Sequence, residues 1–176
     1  LVQQFPASES HDHAYPGGML DHGVEIVAYA LKLRPSHLLP IGASPEDQAA
    51  QSEAWTAAVA YAALLHDIGK MAVPDPILNK PGKLTDQEFG LVRRHPQNGA
   101  RMLLDCRQVS ALVVDVCLHH HERIDGTGSP FGLAQEQISL LARMGAVCDV
   151  YDAITSDRPY KKGWNAAEAI RRMAEW

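Results

Sequence analysis

Five of the nine histidines in this 176-residue chain stand beside apolar runs with helical spacing: His22, His66, His95, His120 and His121. Two aspartates, Asp67 in LLHDIG and Asp149 in AVCDVY, have equally apolar neighbours. A carboxylate taken out of water without a partner is costly. A metal ion resolves that cost, and so does an arginine or a set of backbone donors. His66 and Asp67 are adjacent and can offer two ligands to one metal cluster. The two oxygens of Asp67 can bridge ions about 3.5–4 Å apart, the separation found in two-metal hydrolases. His120 and His121, about 100° apart on a helix, can serve one ion each. Imidazole mixed with carboxylate favours iron, manganese or zinc over calcium or magnesium.

Helices have to carry these groups. Leu20, Val24, Val27, Ala28 and Leu31 recur at helical spacing and predict a helix over 19–33. Residues 34–52 hold three prolines and read as a loop insertion, with a helix start at Ser44-Pro45. The stretch AWTAAVAYAALLHDIGK is apolar almost all round, which predicts a core helix with His66, Asp67 and Lys70 at or just beyond its end. Thr85 and Glu88 form a capping-box signature for a helix ending near His95-Pro96. Further helices are predicted over 97–104, 109–121 and 135–155, and a last one from Asn165. Residues 125–132 are turn material, and SDRPYKKG is a loop. Alternating β patterns and internal repeats are lacking. The chain reads as one all-α domain over 1–176, of roughly seven helices.

The net charge of −5 argues against binding nucleic acid or an anionic membrane through bulk charge. No apolar run reaches the ~18–20 residues of a membrane span. Cys106, Cys117 and Cys148 show no CxxC spacing, which suits reduced thiols in the cytoplasm. The start, LVQQFPASES, lacks the pattern of a signal peptide. It also lacks an initiator methionine, and AAEAIRRMAEW stops inside a helical pattern. Both ends read as cuts in a longer chain, which leaves room for a regulatory domain beyond them.

Four segments, HDIGKMAVPDPILNKPGKLTDQEF, HPQNGARML, HHERIDGTGSP and AVCDVYDAITSDRPYKK, occur in that order. Together they resemble the HD-GYP branch of the HD metal-dependent phosphohydrolases, over about residues 55–175. The earlier HDHAYPGGMLDHGVEIV is more similar to HD domains of conjugative relaxases and certain 3′–5′ exoribonucleases, where a GGLLxH motif supplies the first histidine. Both resemblances point to His22. They imply an HD-domain helical bundle with a metal set of His22, His66, Asp67, His95, His120, His121 and Asp149. That set would hold two divalent transition-metal ions, iron or manganese by preference and zinc as a compatible third. Asp67 would bridge them, and a hydroxide between the ions would attack phosphorus in a cyclic dinucleotide, cyclic di-GMP foremost. Lys70 would contact the scissile phosphate, and Arg158 and Lys161 would hold the substrate's phosphates.

Two departures stand out. Ser129 occupies the place of the family's GYP tyrosine; it keeps a donor and lacks the flat face on which a nucleobase stacks. Gly18 stands where some members have a glutamate for a third metal, which favours a dinuclear centre. Two other readings accompany the cyclic-dinucleotide one. The N-terminal motif suggests a phosphohydrolase of nucleic-acid ends, and the altered GSP motif suggests a non-catalytic cyclic-dinucleotide sensor. His119 is read as a neighbour of the site, Arg123 and Asp125 as organisers of the DGTG turn, and Asp152 as a packing carboxylate.

Overall fold

The computed structural model describes residues 60–106, 108–157 and 162–175. His22, Arg158, Lys161, the helix expected over 19–33 and the insertion at 34–52 lie outside the described residues. Those described form helices and loops with no strand, and one antiparallel bridge pairs Asp125 with Ala134.

Helix α1, described over 60–65, ends before His66-Asp67, and the chain tightens into a 3-10 turn at Ile68–Ala72. His66, Asp67 and Lys70, expected at or just beyond the end of this helix, therefore all lie beyond it. The cause is a backbone contact. A Cβ at Gly69 would lie 1.8 Å from the His95 carbonyl oxygen and 2.5 Å from the Gly99 amide, so the turn presses bare main chain against the helix that starts at His95. Nor is α1 buried all round. Ala62 and Ala63 face the core, while Tyr61 is 61% exposed.

The loop that follows, with Pro74, Pro76 and Pro81, contains an unforeseen short helix, α2 (Asp75–Leu78), with Pro76 in its first turn. Helix α3 (Asp86–Val92) has the expected capping box: Thr85 Oγ1 accepts from Glu88 N–H at 3.3 Å, and Glu88 Oε2 accepts from Thr85 N–H at 2.7 Å. Lys80 Nζ also reaches Glu88, at 2.6 and 2.9 Å. That ammonium, with the Thr85 donors, holds the Glu88 carboxyl down at about 2.

Helix α4 (His95–Leu104) opens at His95-Pro96, where the sequence suggested the preceding helix would close. Proline lacks an N–H, and in a first turn that N–H would have no intrahelical partner in any case. Helix α5 (Ala111–His119) ends one residue short of His120. Helix α6 (Leu140–Thr155) starts later than the expected 135, because Gln135–Gln137 is a separate 3-10 turn and Ser139 is the cap, accepting from Ala142 N–H at 3.1 Å. Asn165 caps α7 (Ala166–Met173) by accepting from Glu168 N–H at 3.0 Å.

Helix α4 packs on both the 3-10 turn and α5; α5 packs on α6, and α6 on α7. Ala62, Ala63, Leu103, Val113, Val116, Cys117, Leu141 and Cys148 fill the space between α1, α4, α5 and α6. Each large apolar side chain among them contributes on the order of 1.5–3 kcal/mol by leaving water. This core fixes four helices so that ends of α1, α4 and α5 meet the middle of α6.

Candidate metal centre

The meeting point gathers His66 and Asp67 after α1, His95 at the head of α4, His120 and His121 after α5, and Asp149 within α6. One local device orients three of the imidazoles. His66 Nδ1 lies 2.7 Å from Ala63 O, His95 Nδ1 2.9 Å from Val92 O, and His120 Nδ1 2.9 Å from Cys117 O. Each carbonyl stands three residues back, in the last turn of a helix, where carbonyls lack intrahelical partners. For Val92 the reason is explicit, since the residue four places on is Pro96, which has no N–H. A carbonyl can only accept, so each Nδ1 carries the proton and each Nε2 is left to face inward.

The inward atoms converge on Asp67. Its Oδ1 is 3.1 Å from His95 Nε2 and 3.8 Å from His120 Nε2; its Oδ2 is 3.5 Å from His66 Nε2 and 2.7 Å from Lys70 Nζ. Asp149 faces the other side of the cluster, with Oδ1 3.8 Å from His66 Nε2 and Oδ2 4.0 Å from His121 Nδ1. Two overlapping ligand groups result, His95–His120–His121 and His66–Asp67–His120, each with its donor atoms within 4.8 Å of one another. His120 belongs to both. His120 and His121 lie in the turn that follows α5, where His120 keeps a right-handed helical backbone, and their ring centroids are 4.1 Å apart.

The electrostatics suit metal ligation. Burial pushes the Asp67 carboxyl up, but Lys70, with His66 and His95 beside it, outweighs that and holds the group well below the usual carboxylate range. Burial also keeps His120 neutral, reinforced by His121, His66 and His95. A neutral imidazole is the form that binds a metal. His95 and His120 bring their Nε2 atoms within 3.2 Å of each other, and two lone pairs at that distance require a proton or a cation between them. Buried imidazole and carboxylate donors, with ring orientation fixed from behind by carbonyls, fit a divalent transition metal.

Of the other expected residues, Lys70 is buried against Asp67, and Ser129 comes to the edge of the cluster, its N–H donating to His121 O at 3.1 Å. His119 turns away, with Nδ1 2.8 Å from Asp115 Oδ1 and its ring edge-on to Phe131. Asp115 also bonds the Ser139 hydroxyl, joining α5 to the cap of α6. Asp152 is fully buried on α6. Arg123 and Asp125 do organise the DGTG turn: Arg123 Nε and Nη2 reach Asp125 at 3.3 and 2.9 Å, and Thr127 N–H reaches it at 3.0 Å. Sequence reasoning missed Glu122. It is buried, and its carboxylate accepts from Phe131 N–H at 2.6 Å and Leu133 N–H at 2.9 Å. The available signal was a lone glutamate between two site histidines and a glycine-rich turn with amides to satisfy.

A family model described as HD domain matches residues 26–175, beginning just after His22. Among curated proteins, "Cyclic di-GMP phosphodiesterase PA4108" of Pseudomonas aeruginosa is 97% identical over 115 residues, which is 65% of this chain and 28% of that protein. "Cyclic di-GMP phosphodiesterase response regulator RpfG" of Xanthomonas campestris pv. campestris is 45% identical over 141 residues, covering 78% of this chain and 36% of that protein. The chain thus spans about a third of the length of these two relatives. Among solved structures, Bd1817, described as an HDG"Y"P protein from Bdellovibrio bacteriovorus, aligns with a TM-score of 0.64 at 21% identity, over 89% of this chain and 46% of that one. That likeness shows a common helical fold.

Proposed function

The chain belongs to the HD domain family, and from that premise we propose that it is a metal-dependent phosphodiesterase that hydrolyses a cyclic dinucleotide, cyclic di-GMP foremost. The observation that carries the reading is the convergence of three carbonyl-oriented imidazoles on one buried, ionised carboxylate, with an ammonium 2.7 Å away. His66, Asp67, His95, His120, His121 and Asp149 would hold two divalent ions, iron or manganese by preference, with His22 completing the set. Bound there, such ions supply Lewis acidity, which lowers the pKa of water and offsets phosphoryl charge.

The chain's own groups do the rest. Asp67 stays anionic because Lys70, His66 and His95 surround it. Lys70 brings a buried positive charge to the same point, where it can neutralise charge developing on a phosphoryl oxygen in the transition state. Arg158 and Lys161 would anchor the substrate's outer phosphates, and the Ser129 hydroxyl would face its base or sugar. The names of the two curated relatives support the choice of cyclic di-GMP. The net charge of −5 weighs against tracking a nucleic-acid backbone. The same reading treats 1–176 as one catalytic domain of a longer cytoplasmic protein, in keeping with the free thiols of Cys106, Cys117 and Cys148.

The test is turnover by protein loaded with manganese or iron, offered cyclic di-GMP, a mixed cyclic dinucleotide and a short single-stranded RNA in parallel. Linear dinucleotide or mononucleotide from cyclic di-GMP is the expected product. Trimming of RNA with both cyclic dinucleotides untouched overturns the reading in favour of a nuclease. Tight binding of cyclic di-GMP without hydrolysis overturns it in favour of a sensor.

A further inference from the structure

The loop after His121 is held from several sides. Ser129 N–H donates to His121 O at 3.1 Å, and Gln135 N–H donates to Ile124 O at 3.1 Å, beside the Asp125–Ala134 bridge. Gly128 lies flat on the main chain, where a Cβ would come within 2.3 Å of Arg123 N and 2.5 Å of Glu122 Cα. Hydrogen bonds from Arg123 and Thr127 hold the Asp125 carboxyl well below its usual range and knit the inner turn. The deepest tie is Glu122, 4% exposed, whose Oε1 takes Phe131 N–H and whose Oε2 takes Leu133 N–H. Its backbone N–H also donates to His119 O at 2.9 Å, so Glu122 belongs to the same turn as His120 and His121.

We propose that Glu122 is the positioning residue of the substrate mouth. One end of it is fixed to the histidine turn; the other clamps the two amides that flank Gly132, and so sets where Ser129 and Pro130 stand beside His121. The proposal rests on the phosphodiesterase reading for its consequence and on the two hydrogen bonds for its cause. Both oxygens accept, one amide each. Glutamine has one carbonyl oxygen, so Glu122→Gln keeps the shape and must set an NH2 against one of the two amides.

Amide hydrogen exchange and kinetics together test it. In the unaltered protein the Phe131 and Leu133 amides are expected to exchange as slowly as helix amides; exchange as fast as at the exposed loop residue Lys83 overturns the clamp, whatever the variant does. In Glu122→Gln, exchange at 131 and 133 is expected to speed up by about tenfold or more, the scale of a lost charged hydrogen bond. Exchange within α4 and α5 and the metal content should stay as before. KM for cyclic di-GMP is expected to rise about tenfold with kcat within about twofold, the signature of lost positioning of bound substrate. A fall in metal content with unchanged loop exchange overturns the proposal and assigns Glu122 to the metal site. If even the unaltered protein leaves cyclic di-GMP intact, the functional reading fails while the exchange data still decide the clamp.

Discussion

His95 and His120 point their Nε2 atoms at each other across 3.2 Å, while each gives its Nδ1 proton to a backbone carbonyl. Neither ring can turn aside without losing that bond, so the pair is strained when empty and relieved by a cation. Protein stripped by a chelator is therefore expected to melt lower than protein given manganese, iron or zinc. At a hundred times the dissociation constant the gain is about 2.7 kcal/mol, on the order of 5–10 °C for a domain this size. Calorimetry with and without metal checks this; His120→Ala should lose most of the metal-induced rise.

Asp67 ties the imidazoles to Lys70, with Oδ1 on His95 and Oδ2 on the ammonium. Asp67→Ala takes from the buried Lys70 the carboxylate 2.7 Å away, which costs roughly 3–5 kcal/mol where a buried pair is broken. Turnover should fall below detection. Lys70→Met should restore much of the stability of the Asp67→Ala protein without restoring activity, as urea unfolding and the turnover assay will show.

Gly69→Ala should behave unlike Gly90→Ala. At Gly69 the new methyl meets the His95 carbonyl at 1.8 Å; at Gly90, inside α3, it meets nothing within 4 Å. The first change is expected to destabilise by roughly 3 kcal/mol and to displace His95. The second should stabilise by about 0.5–1 kcal/mol through helix propensity. Urea midpoints and metal content of the two variants make the comparison.

The thiols divide by burial. Burial, with a smaller contribution from Asp67, pushes the Cys117 thiol up to about 12; burial and Asp149 push Cys148 up to about 11. The nucleophile is the thiolate, so at pH 8 neither should react with iodoacetamide in the folded protein. Cys106 is exposed and should be the thiol alkylated. Mass spectrometry of native and urea-unfolded protein is expected to show one adduct and three adducts respectively.

Ser129 stands at the edge of the cluster on a backbone held by His121 O. Ser129→Tyr keeps that backbone bond and adds a flat face. Stacking on a base is worth about 1–3 kcal/mol, so KM for cyclic di-GMP should fall roughly fivefold or more. An unchanged KM would show that no base reaches residue 129.

The clustering was legible in the sequence because imidazoles and carboxylates next to apolar helical runs need partners once buried. The HD, HP, HHE and CDVYD segments announce His66, Asp67, His95, His120, His121 and Asp149, and the structure brings these six together. The capping box at Thr85 was equally plain, since both of its bonds are local. What sequence could not give was set by contacts between distant segments. Nothing near Gly69 says that His95 O will lie against it, so the tight turn there was not foreseen. Pro96 was taken as an ending because proline both closes and opens helices. Ser139 was passed over as a cap beneath a run of glutamines that suits helix equally well. Glu122 went unremarked, because the amides it binds come nine and eleven residues later.

The contact of Gly69 with His95 and Gly99 has a topological meaning. The chain leaves the cluster after Ala72 and returns to the same spot at His95, so residues 73–94 form an excursion whose two feet are welded together. Its tip, around Pro81–Lys83, is exposed, and Lys80 and Glu88 lace it shut below. Such an excursion is modular: it can be lengthened, nicked or exchanged at the tip while the metal ligands on either side of it keep their places.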